Sequence, residues 1–277
     1  MFPMAPLDSG SRSSLGSIDV RSRALIAGLA TALTAPDQFS LAYQPRIGLR
    51  SQECLSAEAL LRWTHPTLGS VPPAEFVPIA ERADMMGSLT AWVIERALGD
   101  LRKWTELGFS HGVSINVSAS NLAEDDFADR LWERIARHGI DPRQVEFEFT
   151  ERLSLRGVSR MGERLAELVE MGVRLSIDDF GVGHSNLNYL RDHPASALKI
   201  DRSFIRSLAA NARDQIIVRS LIALAHALEY SVVAEGVEDP ETQALLANWG
   251  CDEGQGHHIC RPVSLDALLS WLRARPT

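Results

Sequence analysis

Short runs of β-branched and apolar residues alternate with longer amphipathic stretches from about residue 39 onward. Runs bounded by turn residues read as strands at 39–44, 54–61, 112–117, 145–150, 174–178, 197–200, 231–235 and 254–259. Between them, apolar positions at helical spacing predict helices at 74–83, 89–107, 127–138, 158–171, 214–228 and 240–249. Four of these stop at a glycine placed where a C-terminal cap belongs: Gly108, Gly139, Gly172 and Gly250. Trp92, Trp104, Trp132 and Trp249 fall inside the helices and are expected to pack in the core. Residues 1–20, with Ser, Gly and Pro but no apolar run, read as a flexible tail, and residues 21–277 as one domain. Eight strands with intervening helices, and neither linker nor repeat, predict an α/β barrel rather than an open doubly wound sheet.

Composition narrows the picture. The chain has 277 residues, 45% hydrophobic and 23% charged, an ordinary globular balance. A net charge of −8 argues against a nucleic acid polymer as partner, since such binders carry a basic footprint. It leaves room for a small anionic ligand held through divalent cations, which invert the local sign of charge. Cys54, Cys251 and Cys260 are odd in number and form no CxxC pair, so reduced thiols are expected rather than a disulfide framework. The start has no secretory h-region and no apolar stretch is long enough to span a bilayer, so the expected location is cytoplasmic, with no membrane partner.

The chemistry sits at the strand ends. Glu58 interrupts an apolar strand, Asn116 ends VSIN, and Glu148 is set inside VEFEF. Asp178 and Asp179 follow LSI, Lys199 lies in ALKI, Glu235 ends VVA, and Gln255 opens the last predicted strand. Any one of these, alone, is more simply a cap, a turn former or a solvated edge. Together they place polar groups on seven successive strands, whose C-terminal ends converge on one face of a parallel barrel. Several carboxylates gathered in one cavity repel one another and lose hydration unless cations compensate. An all-oxygen donor set suits Mg²⁺ or Mn²⁺ rather than zinc. The adjacent Asp178 and Asp179 can serve two cations at once, the arrangement used in two-metal phosphoester hydrolysis.

Ordered motifs carry a family resemblance. The chain holds Glu58-Ala59-Leu60-Leu61-Arg62-Trp63, preceded by YQP at 43–45 and followed by HPxxGxVPPxEFVPIAE at 65–81 and NVSA at 116–119. EFTE at 148–151, DDFGVG at 178–183, LKIDRSF at 198–204, VAEGVE at 233–238 and GCDEGQG at 250–256 complete the series. Running from about residue 39 to 263, it resembles the EAL phosphodiesterase family. The resemblance implies a TIM-like (β/α)8 barrel with one antiparallel strand, the first. It implies metal-dependent hydrolysis of cyclic di-GMP to linear pGpG, with two Mg²⁺ or Mn²⁺ ions per site and a homodimer. By the same resemblance Glu58, Asn116, Glu148 and Asp178 hold one metal, and Asp178, Asp179 and Glu235 the other. Lys199, Glu235 and Asp179 carry the catalysis, Gln44, Leu60, Arg62 and Gln255 contact the substrate, and Glu151 anchors the loop after the aspartate pair.

Departures from the family pattern fall in two places. DFGVGHSNL replaces the usual DFGTGYSSL, with Val182, His184 and Asn186 in a loop that couples the metal site to the dimer interface in the family; altered tuning rather than loss is expected. QGHHIC replaces QGYLF, and adjacent strand residues face opposite ways, so His257 and His258 are not expected to share a metal. Beside the active enzyme stands the alternative of a catalytically weak cyclic di-GMP receptor acting through a protein partner. The segment before residue 41 is too short for a sensory domain, so regulation is expected in trans or from a longer parent chain.

Overall fold

The computed structural model describes residues 20–35, 37–150, 158–182, 190 and 194–275. Strands β1 (Phe39–Gly48), β2 (Cys54–His65), β4 (Gly112–Asn116), β5 (Val145–Thr150), β6 (Arg174–Phe180), β7 (Ala197–Ile200), β8 (Ser231–Glu235) and β9 (Glu253–Gln255) close into a barrel. The short β3 (Gly69–Val71) is added to β2 outside the ring. From β2 through β9 the barrel neighbours are parallel, whereas β1 runs antiparallel to both β2 and β9 and closes the circle. This is the TIM-like barrel with its first strand reversed that the motifs implied.

The strands are buried on both sides because helices cover the outside. In β5, Val145, Phe147 and Phe149 point outward into an apolar layer, so Glu146 and Glu148 must point into the barrel. The covering helices are α2 (Pro73–Arg82), α3 (Met86–Glu106), α4 (Ala119–Leu122), α5 (Phe127–His138), α6 (Val158–Glu170), α7 (Arg202–Ile205), α8 (Ala212–Ala227), α9 (Pro240–Asn248) and α10 (Leu265–Arg273). The four glycines read as helix stops all take positive φ, from 67° at Gly139 to 93° at Gly172. One large core joins all of these helices except α2 to the barrel wall, with Trp104, Phe147 and Leu198 among its fully buried members.

A second, smaller core lies above the barrel rim. There β1 and β2 continue past the ring as a hairpin, pairing Phe39 with Trp63. Leu25 and Leu29 of a further helix, α1 (Val20–Ala32), pack with Phe39, Trp63, Phe76 and Ile79. Arg21 of α1 also pairs with Glu75 of α2. Helix α1, not foreseen in the sequence, begins at the residue where the tail was expected to end. Three sequence readings need correction. Helix α10 was not foreseen. Trp132 is 52% exposed on α5 instead of packing in the core. The last strand stops at Gln255, so Gln255 ends it rather than opening it. Among the described residues no helix is long and apolar enough to cross a membrane, and all three cysteines are free.

Candidate active site

Because side chains alternate along a strand, an inward residue is followed by another inward residue two positions on. The barrel strands use this to build two polar tiers. The upper tier holds Gln44 and Glu58, paired across β1 and β2, then Asn116 and Glu148, paired across β4 and β5, and Glu235 and Gln255, paired across β8 and β9. Asp178 of β6 and Lys199 of β7 complete it. The lower tier holds Arg46, Ser56, Ser114, Glu146, Ser176 and Glu253, each two residues toward the floor and each buried.

Lys199 is the hub of the upper tier. Its fully buried Nζ lies 2.5 Å from Glu148 Oε2, 2.5 Å from Glu235 Oε1 and 3.1 Å from Asp178 Oδ1. Across the cavity Asn116 Nδ2 donates to Glu58 Oε1 at 2.7 Å, and Gln255 Nε2 donates to Glu58 Oε2 at 2.6 Å. Gln255 Nε2 also reaches Gln44 Oε1 at 3.2 Å, and Gln44 Nε2 donates to the Cys260 carbonyl. Two acceptors, Glu148 Oε1 and Gln255 Oε1, are buried without a hydrogen-bond donor, and Asp178 Oδ1 has only the Lys199 ammonium at 3.1 Å. Asp178, Asp179 and Glu235 each offer an oxygen within 4.8 Å of the others. Asp179 reaches this cluster with a left-handed backbone, φ 54°, at a strand end, a strain that packing must sustain.

The electrostatics follow from burial. Burial alone would lower Lys199, but Asp178, Glu148 and Glu235 outweigh it and hold the ammonium well above the ordinary lysine value. Burial raises Glu235 to about 8 despite the pull of Lys199, with Asp178 and Glu58 adding repulsion. Glu148 is likewise raised well above the carboxylate range by burial, against Lys199. Glu58 goes the other way: burial raises it, but Lys199 and the donors Gln255 and Asn116 together hold it low. The pocket therefore gathers more carboxyl groups than its one ammonium can keep ionised. Orphaned oxygens and an acidic triad within an all-oxygen donor set fit binding of hard divalent cations.

Two clefts flank this centre. One, about 650 Å³, is lined by Leu60, Arg62, Asn116 and Asp179 together with apolar Met86 and Leu89. The other, about 350 Å³, is lined by Gln44, Glu58, Asp178, Glu235, Gln255 and the charged rim residues Arg202, Arg206 and Glu238. Leu60 and Asp179 line both. Arg62, half-buried, presents its guanidinium to the larger cleft while Nη1 donates to the Leu61 carbonyl. All the sequence-predicted site residues thus meet at one mouth except Glu151, which lies outside the described residues, as do His184 and Asn186. Val182 is described and exposed at the rim of the larger cleft. His257 and His258 stand in a turn past the last strand, not on it, and only His257 lines the smaller cleft. Strand alternation therefore does not set their orientation.

The sequence reading missed the lower tier. Arg46 Nη1 and Nη2 donate to the two oxygens of Glu146 at 2.8 and 2.7 Å, and Nε lies 2.6 Å from Glu253 Oε2. The missed signal was the spacing itself: Arg46 follows Gln44 by two, Glu146 precedes Glu148 by two, and Glu253 precedes Gln255 by two.

Comparison with known proteins agrees with this architecture. A model of the EAL domain matches residues 27–262. A cyclic di-GMP phosphodiesterase of Pseudomonas aeruginosa is 42% identical over 253 residues, covering 91% of this chain and 43% of the relative. Among solved structures, the PaMucR phosphodiesterase in complex with c-di-GMP has a TM-score of 0.83 at 36% identity, over 88% of this chain and 99% of that one. The EAL enzyme Bd1971, with cAMP and cyclic di-GMP bound, has a TM-score of 0.85 at 33% identity, over 95% of this chain and 70% of that one. The chain spans less than half the length of the curated relatives it matches.

Proposed function

Because the chain belongs to the EAL domain family, we propose that it is a divalent-cation-dependent phosphodiesterase that opens cyclic di-GMP to linear pGpG. The observation that carries this reading is the buried upper tier, where one ammonium faces three carboxylates at the junction of two clefts. Glu58, Asn116, Glu148 and Asp178 would hold one Mg²⁺ or Mn²⁺, and Asp178, Asp179 and Glu235 a second. When bound, the cations neutralise phosphate charge and make water acidic enough to attack at neutral pH.

The chain's own residues supply the rest. Burial raises Glu235 to about 8 in the cation-free pocket, so holding a cation there would drive its proton off and leave a carboxylate to bind the ion and orient the attacking water. Lys199 touches Glu148, Asp178 and Glu235 at once, so it fixes their relative positions and keeps its positive charge beside the reacting phosphate. Gln255 and Gln44 hold Glu58 and the wall of the smaller cleft. Arg62 offers a planar fork to a phosphate in the larger cleft. Leu60, shared by both clefts, gives the ligand's midline an apolar contact. A two-lobed dinucleotide suits two clefts meeting over one acidic centre, and homodimerisation belongs to the same reading, checked by sedimentation.

Purified protein with Mg²⁺ or Mn²⁺ should release pGpG from cyclic di-GMP and lose that activity in EDTA. Ligand binding without any product overturns the enzyme reading and leaves a receptor.

A further inference from the structure

Inside the barrel, the place usually filled by layers of branched apolar side chains holds a column of alternating charge. From the floor upward it runs Arg174, Glu146, Arg46, Glu148, Lys199 and then Asp178 with Glu235. Successive contacts measure 3.8, 2.7, 3.9 and 2.5 Å before the final pair at 3.1 and 2.5 Å. We propose that Arg46 is a positioning residue for Glu148, holding that carboxylate from below while Lys199 holds it from above; this rests on the cation-dependent reading given above.

The geometry separates the two oxygens of Glu148. Oε2 is taken by Lys199, and Oε1 has no hydrogen-bond donor and faces Arg46 Nη1 at 3.9 Å. Arg46 cannot rise to compete for that oxygen. Its fork is tied to both oxygens of Glu146, and its Nε to Glu253. The two anchors come from β5 and β9, the strands that also carry Glu148 and Gln255 two residues higher. One guanidinium thereby sets the relative height of Glu148 and Gln255, while Glu148 Oε1 stays buried without a donor.

A purely structural role is the simpler alternative, in which Arg46 only neutralises Glu146 and Glu253. Stability gives a weak reason for it, because well-packed apolar residues commonly replace a buried ionic cluster at no loss. The signs differ as well. A cation acting only by repulsion opposes metal binding, so its removal tightens it. A cation that positions a ligand weakens metal binding when lost.

The test uses the full chain as wild type, R46K, and the triple variant R46M/E146Q/E253Q, in which no buried lower-tier carboxylate is left unpaired. Melting temperature, the Mn²⁺ dissociation constant by calorimetry, and kcat and KM for cyclic di-GMP are measured for each. The triple variant is expected to weaken Mn²⁺ binding by about tenfold, the lower end for residues that orient a metal ligand, and to lower kcat with little change in KM. R46K keeps the charge but loses the fork, and is expected to weaken Mn²⁺ binding at a near-native melting temperature. The triple variant loses one positive and two negative charges, so weaker Mn²⁺ binding there supports the proposal only when R46K, which keeps the charge, also binds more weakly; wild-type or tighter Mn²⁺ binding in either variant overturns it. If the triple variant does not fold, R46K decides it alone: a wild-type dissociation constant overturns, a weaker one supports. Failure of the wild type itself to bind Mn²⁺ would strike the cation-dependent reading instead.

Discussion

Replacing Lys199 with methionine removes the buried ammonium while keeping a flexible chain of similar length. The ammonium has ion-pair contacts at 2.5 Å to Glu148, 2.5 Å to Glu235 and 3.1 Å to Asp178, and no exposed surface. Breaking a buried pair by deleting one partner typically costs about 3–5 kcal/mol. At roughly 2–4 °C per kcal/mol for a chain of this size, the cation-free melting temperature should fall by about 6–20 °C. Saturating Mn²⁺ should recover most of that difference, because it supplies the missing positive charge. Turnover should not recover. A lost proton-positioning group typically costs about 10²–10⁴ in rate. Thermal denaturation in EDTA and in Mn²⁺, with product quantified by chromatography, separates the two effects. A Lys199→Met protein as stable as wild type in EDTA refutes the hub, and near-native turnover in Mn²⁺ refutes its part in catalysis.

Three further outcomes are expected. Asp178→Asn should lower turnover by more than the roughly 10–100-fold typical of residues that only support a ligand, and near-native activity there removes Asp178 from the metal set. Glu235 has a folded pKa raised to about 8 by burial, so its ionised form is disfavoured in the fold. Cation-free stability is therefore fullest below the ordinary carboxylate value and declines as pH climbs toward 8. The extra stability given by Mn²⁺ should accordingly widen from pH 5 to 8 with proton release, and a constant gap across that range contradicts the assignment. Finally, a Cβ on Gly256 would sit 2.1 Å from the Val237 carbonyl oxygen and 2.3 Å from its nitrogen, both rigid backbone. Gly256→Ala should cost about 1–3 kcal/mol or more by chemical denaturation and displace the turn that carries His257; a shift under about 0.5 kcal/mol would mean that this turn yields freely.

The barrel and its mouth were legible because strand alternation is local. A charged residue in VEFEF or ALKI must point away from its apolar neighbours, and closure of the ring brings such residues together. The antiparallel entry of β1 has no such local signature and came only from the family resemblance. Helix α1 was hidden by its modest amphipathicity and its place beside a polar tail, since what stabilises it is contact with Trp63 and Phe76, far along the chain. Trp132 shows the opposite failure: helical spacing put it on a helix but does not tell which face the barrel covers. The shortness of β9 followed from Gly256, whose contact with Val237 turns the chain directly after Gln255. The lower tier was visible as i, i+2 pairs, yet attention to strand ends passed over it.

In an all-parallel ring the polypeptide comes in from beneath and every strand of it climbs toward the C-terminal face. Here β1 descends, so whatever covalently precedes Phe39 is delivered beside the clefts. Helix α1 rests there on Trp63, which belongs to the same strand as Glu58. Helix α1 and the Glu58 carboxylate are thus joined by one continuous strand, with no loop between Trp63 and Glu58.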